Sequence, residues 1–202
     1  MNDVNVAVIH TERCAAAFCR MFWAFIFFLD FRFGVNRVHI DLLPDFVGWL
    51  MMASALTTIL DLAPRVEDIR RLAYGLSFLS LFDLVEIRMT QSEGLGPWIV
   101  PTTLVSTVSA VLNIVLIWKL CGLIMDMASR LENETMRERA EFRRKLYATV
   151  TVLLSLAAAL AFASRSFAML SIFIGFPAAI IIFLLMMGLM KRTENMCRGL
   201  PV

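Results

Sequence analysis

The stretch Trp98–Trp118, WIVPTTLVSTVSAVLNIVLIW, runs for 21 residues without a charged side chain. A helix of about 20 such residues crosses a hydrocarbon core of ~30 Å at about 1.5 Å per residue. A second uncharged stretch, Phe167–Met190, FAMLSIFIGFPAAIIIFLLMMGLM, is longer still. Hydrophobic residues make up 59% of the 202-residue chain and its mean hydropathy is +0.75, well above an ordinary soluble domain. Working outward, runs of low charge mark six spans: Ala15–Phe33, Pro44–Leu60, Leu72–Ile87, Trp98–Trp118, Leu146–Ala163 and Phe167–Met190. The expected fold class is all-α, a polytopic transmembrane helical bundle forming one integral-membrane domain over residues 1–202.

The first and third spans are the weak ones. Arg20, Asp30 and Arg32 interrupt one, and Asp83 and Glu86 the other. Charge in the connections arbitrates. With six spans, both termini and the second and fourth loops share one side. That side holds Arg13, Arg20, Arg65, Arg70, Arg71, Arg130, Arg137, Arg139, Arg143, Arg144, Lys145, Lys191, Arg192 and Arg198, 14 of the 19 Lys and Arg. Arg32, Arg37, Arg88 and Arg165 face the other side, and Lys119 sits at a helix end. Basic residues are retained in the cytoplasm, so both termini are expected there, in a bacterial cytoplasmic (inner) membrane. Dropping only the third span would expel the fourth-loop basic cluster. Dropping both weak spans restores parity, which makes four spans the alternative.

The fourth connection, Asp126–Lys145, is rich in helix formers, with Arg130/Glu134 and Glu141/Lys145 at i,i+4. It is expected to extend the fourth span into the cytoplasm as a helix, with Lys119 snorkelling and Arg143-Arg144-Lys145 near anionic headgroups. It is either a solvated linker or a docking surface for a cytoplasmic protein.

Length leaves no room for a soluble nucleotide-dependent module, and the interleaving of basic with acidic residues gives nucleic acid no face to bind. Cys14, Cys19, Cys121 and Cys197 form no CxxC, and His10 and His39 have no ligand partner at metal spacing, so neither metal nor cofactor is expected. The first apolar run lacks a small-residue cleavage site and is expected to be retained. There is no HExxH, no Gly-x-Ser-x-Gly and no phosphate-cradling glycine loop, so no catalytic residue is assigned.

Two segments carry polar groups of interest. Around the second span, Asp30-Phe31-Arg32 precedes Ile40-Asp41-Leu42-Leu43-Pro44-Asp45-Phe46-Val47-Gly48. Pro44 suits the first turn of a helix, Asp41 and Asp45 complement its dipole, and Gly48 admits a neighbouring helix. This motif resembles one in small uncharacterised bacterial integral membrane proteins. The resemblance covers Phe27–Leu60, with a longer and more basic turn at Val35–His39. It implies a bacterial inner-membrane location and supplies no activity.

The other segment is a polar seam between the third and fourth spans. Thr102, Ser106, Ser109 and Asn113 share a stripe about 60° wide on the fourth. Ser77, Ser80, Asp83 and Glu86 wind across the third. Counting outward from the loop between them sets Asp83 level with Thr102, Ser80 near Ser106 and Ser77 near Ser109. Such groups either glue helices or line a solute path. In the last hairpin, Gly175-Phe176-Pro177 is expected to kink the sixth span. The function expected is a non-enzymatic inner-membrane protein acting through helix–helix or cytoplasmic contacts, with the bilayer as its surroundings. The alternative is a small transporter or channel using the seam.

Overall fold

The computed structural model describes residues 2–28, 32–35, 38–41, 44–63, 65–81, 85–87, 99–161 and 171–200. In chain order the elements are α1 (Asn2–Ile26), β1 (Arg32–Val35), β2 (Val38–Asp41), α2 (Asp45–Thr58), a 3₁₀ turn (Leu60–Leu62), α3 (Arg65–Ser80), β3 (Val85–Ile87), α4 (Ile99–Arg130), α5 (Glu134–Ala161), a π turn (Ser171–Gly175) and α6 (Phe176–Cys197). Helices dominate, as expected. The chain divides into two compact units, Met1–Asn113 and Ile114–Val202, and the division falls inside α4.

In the first unit α2 packs against both α1 and α3. The buried residues keep helical spacing: Cys14, Phe18, Met21 and Phe25 on α1; Trp49, Met52 and Leu56 on α2; Val66, Ile69, Ala73 and Leu76 on α3. Each set is one stripe of i, i+3, i+4, i+7 type, which is what helices packed side by side require. Gly48 sits at the α1–α2 crossing, as its small size suggested. A Cβ there would stand 2.6 Å from Phe28 Cε1 and 2.9 Å from the Ala24 carbonyl oxygen. The Phe28 ring lies against Trp49, centroids 4.1 Å apart.

Several boundaries differ from the sequence expectation. The first span, set at Ala15–Phe33, is a helix that starts at Asn2 and stops at Ile26. Two tight bonds, Phe27 N to Ala24 O and Phe28 N to Phe25 O, end it. The following residues pair as strands, so the all-α expectation needs a small antiparallel sheet in the order β1-β2-β3. Arg32 pairs with Asp41 and Val35 with Val38, so part of the stretch read as a long turn at Val35–His39 lies in strands. The residues of these strands are mostly β-branched or aromatic, which favours extended backbone. The third span, set at Leu72–Ile87, is a helix from Arg65 to Ser80, and Glu86 lies on β3 opposite His39. Reading helices from low charge overlooked its charged first turn, where Glu67 and Asp68 complement the dipole. At 14 and 16 residues α2 and α3 are also short.

In the second unit α5 packs on α6. Buried residues are Ile117, Leu120, Ile124 and Ala128 on α4, Met136 and Ala140 on α5, and Met186, Leu189 and Met190 on α6. The connection 126–145 is not one helix: α4 continues to Arg130, the chain turns, and α5 starts at Glu134. Asn133 N donates to Ala128 O and Glu132 N to Ser129 O, with Glu132 at φ 53°. This is a Schellman ending with glutamate in the left-handed position where glycine is usual. Asn133 Oδ1 then accepts from Met136 N at 3.0 Å and caps α5. One asparagine therefore ends one helix and starts the next. The fifth span, set at Leu146–Ala163, is accordingly the apolar half of a helix that begins at Glu134 and is described to Ala161. In the sixth, Pro177 falls in the first turn of α6, directly after the π turn. The irregular turn lies where the missing N–H of proline interrupts the ladder.

Among the described residues, two helices are long and apolar enough to cross a membrane: Leu104–Arg130, of hydropathy 2.1, and Phe173–Cys197, of hydropathy 2.5. Six such helices are not found.

Candidate functional site

A polar cleft of about 100 Å³ lies in the first unit. Asp45 and Trp49 of α2, Leu76 and Ser80 of α3, and Ser109, Ala110 and Asn113 of α4 line it. Hydrogen bonds explain how the short helices bring these groups together. Ser77 Oγ donates to the Phe46 carbonyl at 3.1 Å and ties the end of α3 to the start of α2. Ser80 Oγ donates back to the Ser77 carbonyl at 3.1 Å. Ser109 Oγ is buried without a hydrogen-bond partner. A buried hydroxyl left unpaired costs about 1–3 kcal/mol, so the cleft favours an occupant that can bond to it.

The residues grouped as a seam from sequence are placed as follows. Ser80, Ser109 and Asn113 meet at the cleft, whereas Ser77 is used to bind α2 and Ser106 is exposed. Ser80 was matched to Ser106 by counting helical rise through the loop. That count fails because α3 stops at Ser80 and Val85–Ile87 is extended. Extended chain rises about 3.3 Å per residue against about 1.5 Å in a helix, so depths counted through it are wrong. Asp83 lies outside the described residues, and Thr102 and Glu86 are placed only by their backbone, in α4 and β3.

The carboxylate found at the cleft is Asp45, which was read only as a dipole partner. The signal was there: in the α2–α3 hairpin, Asp45 and Ser80 stand about equally far from the connecting residues 59–64. Of the remaining motif residues, Asp30 lies outside the described residues, while Arg32 and Asp41 are opposite one another in the sheet. Pro44 precedes the first helical residue, at φ −62° and ψ 124°, and does not occupy the first turn itself.

The volume bounds what the cleft can hold. Small-molecule pockets measure roughly 300–1,000 Å³, while a water molecule takes about 30 Å³ of liquid. A few waters or one small ion fit.

Around α4 the chemistry is sorted by face. Leu104, Val108, Val111, Val115 and Trp118, spaced by four, three, four and three residues, are exposed, Leu104 to 64% and Val111 to 54%. At about 100° per residue they fall on the side opposite Ser109 and Asn113. Ser109 and Asn113 line the cleft while the apolar stripe opposite is exposed, the reverse of a surface helix in water, although Ser106 on the polar side is exposed too. Only 33% and 22% of the most apolar windows of the two long helices are buried. No protein-family model, curated protein or solved structure matches the chain.

Proposed function

We propose that the chain is a non-enzymatic integral protein of a bacterial inner membrane, acting through contacts of its helices with a partner helix or through its cytoplasmic hairpin. The observation that carries this reading is the inverted α4, whose exposed stripe recurs every 3.5 residues, the period of a helix–helix seam. In water such a stripe would be an aggregation site; against lipid or another helix it is at home. The basic residues near Arg130–Lys145 and at Lys191, Arg192 and Arg198 favour cytoplasmic ends for α4 and α6. Both helices then run in the same direction, and α5 must carry the chain back. Six crossings with both termini inside extend this pattern to α1–α3. There α2 and α3, about 21 and 24 Å long by helical rise, are short members that local thinning would have to accommodate.

Two experiments test the proposal. Cys14, Cys121 and Cys197 are buried, so topology needs introduced thiols at accessible positions. In intact cells a membrane-impermeant maleimide should label Asn36→Cys and Gln91→Cys, and should leave the exposed Glu138→Cys unlabelled. External labelling of Glu138→Cys defeats the orientation. Cysteines at Val108 and Val111 should cross-link to one species of defined mass in native membranes. Reaction of both with lipid-soluble probes alone would leave only lipid against the stripe and remove the contact function.

The cleft favours a second reading, a proton or small-cation path past Asp45 and Ser109. It requires a leak in reconstituted vesicles that Asp45→Asn abolishes and that leaves the thermal midpoint unchanged. Tight vesicles eliminate this reading.

A further inference from the structure

We propose that the second unit carries a binding site for the phosphodiester of an anionic phospholipid, formed by Arg139, Arg143 and Arg144 of α5 and Arg192 of α6. This rests on the membrane reading above and names the ligand of a place distinct from the cleft, touching the apolar stripe only at Trp118.

Arg143 is anchored across the helix pair, Nη1 donating to the Leu185 carbonyl of α6 at 2.6 Å. Its guanidinium passes close to Gly188, where an added Cβ would stand 3.7 Å from Nη1. Arg139 lies one turn earlier on the same face of α5, and Arg192 one turn beyond Gly188 on α6. Both stand near enough to weigh on the charge of Arg143. Arg144 is held by the Trp118 ring, its Cζ 3.9 Å from the centroid, in the cation–π geometry that guanidinium favours.

Among the described residues their charge is not matched by carboxylates, and two of them carry buried N–H groups without a hydrogen bond. Arg139 Nη1 and Arg144 Nε are buried with no hydrogen bond. Three of the acids nearby are engaged elsewhere, and Glu138 is exposed. Glu134 pairs with Arg137 at 2.8 Å, Glu141 with Lys145 at 2.7 Å, and Glu194 with Lys191 and Arg198 at 2.9 and 2.8 Å. Among the described residues no carboxylate pairs with Arg139, Arg143, Arg144 or Arg192. Four guanidiniums without a carboxylate partner, two of them with a buried unbonded N–H, are a mismatch that a multidentate anion resolves, and planar donor forks suit phosphate oxygens best.

A free phosphate would satisfy the same donors, but the surroundings favour a lipid. Ile181 of α6 is exposed, and it lies eleven residues, about three turns, from Arg192 on nearly the same face. A headgroup seated at the arginines would lay its acyl chains along that apolar surface. On the membrane reading above, Trp118 and the basic end of α5 fall at headgroup depth.

The test is thermal unfolding of the full chain in neutral detergent with phosphatidylglycerol, phosphatidylcholine or inorganic phosphate added. Phosphatidylglycerol should raise the midpoint by about 5 °C or more, with little change from the other two. Arg139→Gln and Arg192→Gln should each remove at least half of that rise. These two are chosen because Arg143→Gln would also lose the bond to Leu185. If either variant fails to fold, the comparison of the three additives on the unaltered protein decides. An equal rise with phosphatidylcholine, an equal rise with inorganic phosphate, or a rise undiminished in both variants overturns the proposal. Stable insertion into pure phosphatidylcholine vesicles with no preference for phosphatidylglycerol removes this site and leaves the membrane reading standing. Failure to insert into either vesicle removes both.

Discussion

Replacing Gly48 by alanine sets two effects of opposite sign against each other. Alanine favours a helix interior over glycine by roughly 0.5–1 kcal/mol. The added methyl, however, would lie 2.6 Å from Phe28 Cε1 and 2.9 Å from the Ala24 carbonyl oxygen. The first neighbour has little freedom, since the Phe28 ring is wedged between Trp49 and Phe25, at 4.1 and 5.5 Å between centroids. The second is backbone and moves only if α1 moves. Overpacking of this kind costs about 1–3 kcal/mol, so the upper half of that range applies and the net loss is about 1–2.5 kcal/mol. For a chain of this size that lowers the midpoint by about 2–10 °C. Gly75→Ala is the matched control, because a Cβ there meets nothing within 4 Å. It should leave the midpoint unchanged or raise it by about 1–4 °C. The assay is thermal unfolding in detergent, followed by tryptophan fluorescence, to which Trp49 at the contact contributes. A Gly48→Ala protein as stable as the Gly75→Ala protein would refute the close approach of α1 and α2.

At the α4–α5 turn, Glu132→Gly should raise stability by about 1 kcal/mol, since a side chain at φ 53° is strained and glycine is not. A lower midpoint for this variant would mean the Glu132 side chain holds something the turn geometry does not explain. Acid should weaken the fold through two surface glutamates. The hydrogen bond from Arg70 holds Glu67 below the usual glutamate value, and that from Lys145 does the same for Glu141. A depressed folded-state value makes the contribution complete above the unfolded value, about 4.3, and lost as pH falls through the folded one. Stability should therefore decline as pH is lowered below about 4.3. Lys145→Gln should flatten that decline, and an unchanged acid profile would show the Glu141 pair to be inert.

The physical reasons for the two kinds of outcome are visible in particular residues. Helices were legible wherever composition alone decides: the uncharged run after Trp98 and that ending at Met190 lie within α4 and, in large part, α6. Gly48 as a close approach was legible too, because only an absent side chain lets backbones meet. Helix ends were misplaced where a charged turn continues a helix, as at Arg65 and Glu134, because low charge marks an apolar environment and not hydrogen bonding. Hydrophobicity also could not see Asn133, whose effect comes from one side-chain oxygen and a left-handed neighbour.

What the amino-acid order determined by itself is the set of apolar stretches and their helical period. These are properties of neighbours a few residues apart, and transfer free energy and local geometry suffice to read them. The cleft and the arginine cluster were decided only by tertiary structure. Asp45, Ser80 and Ser109 line one cleft because α2 and α3 are short and pinned by the Ser77–Phe46 bond, and because Ser109 and Asn113 of α4 turn toward it. Arg143 reaches Leu185 because α5 and α6 pack closely beside Gly188. Partners separated by 31 and 42 positions along the chain are joined by packing, which no local pattern encodes.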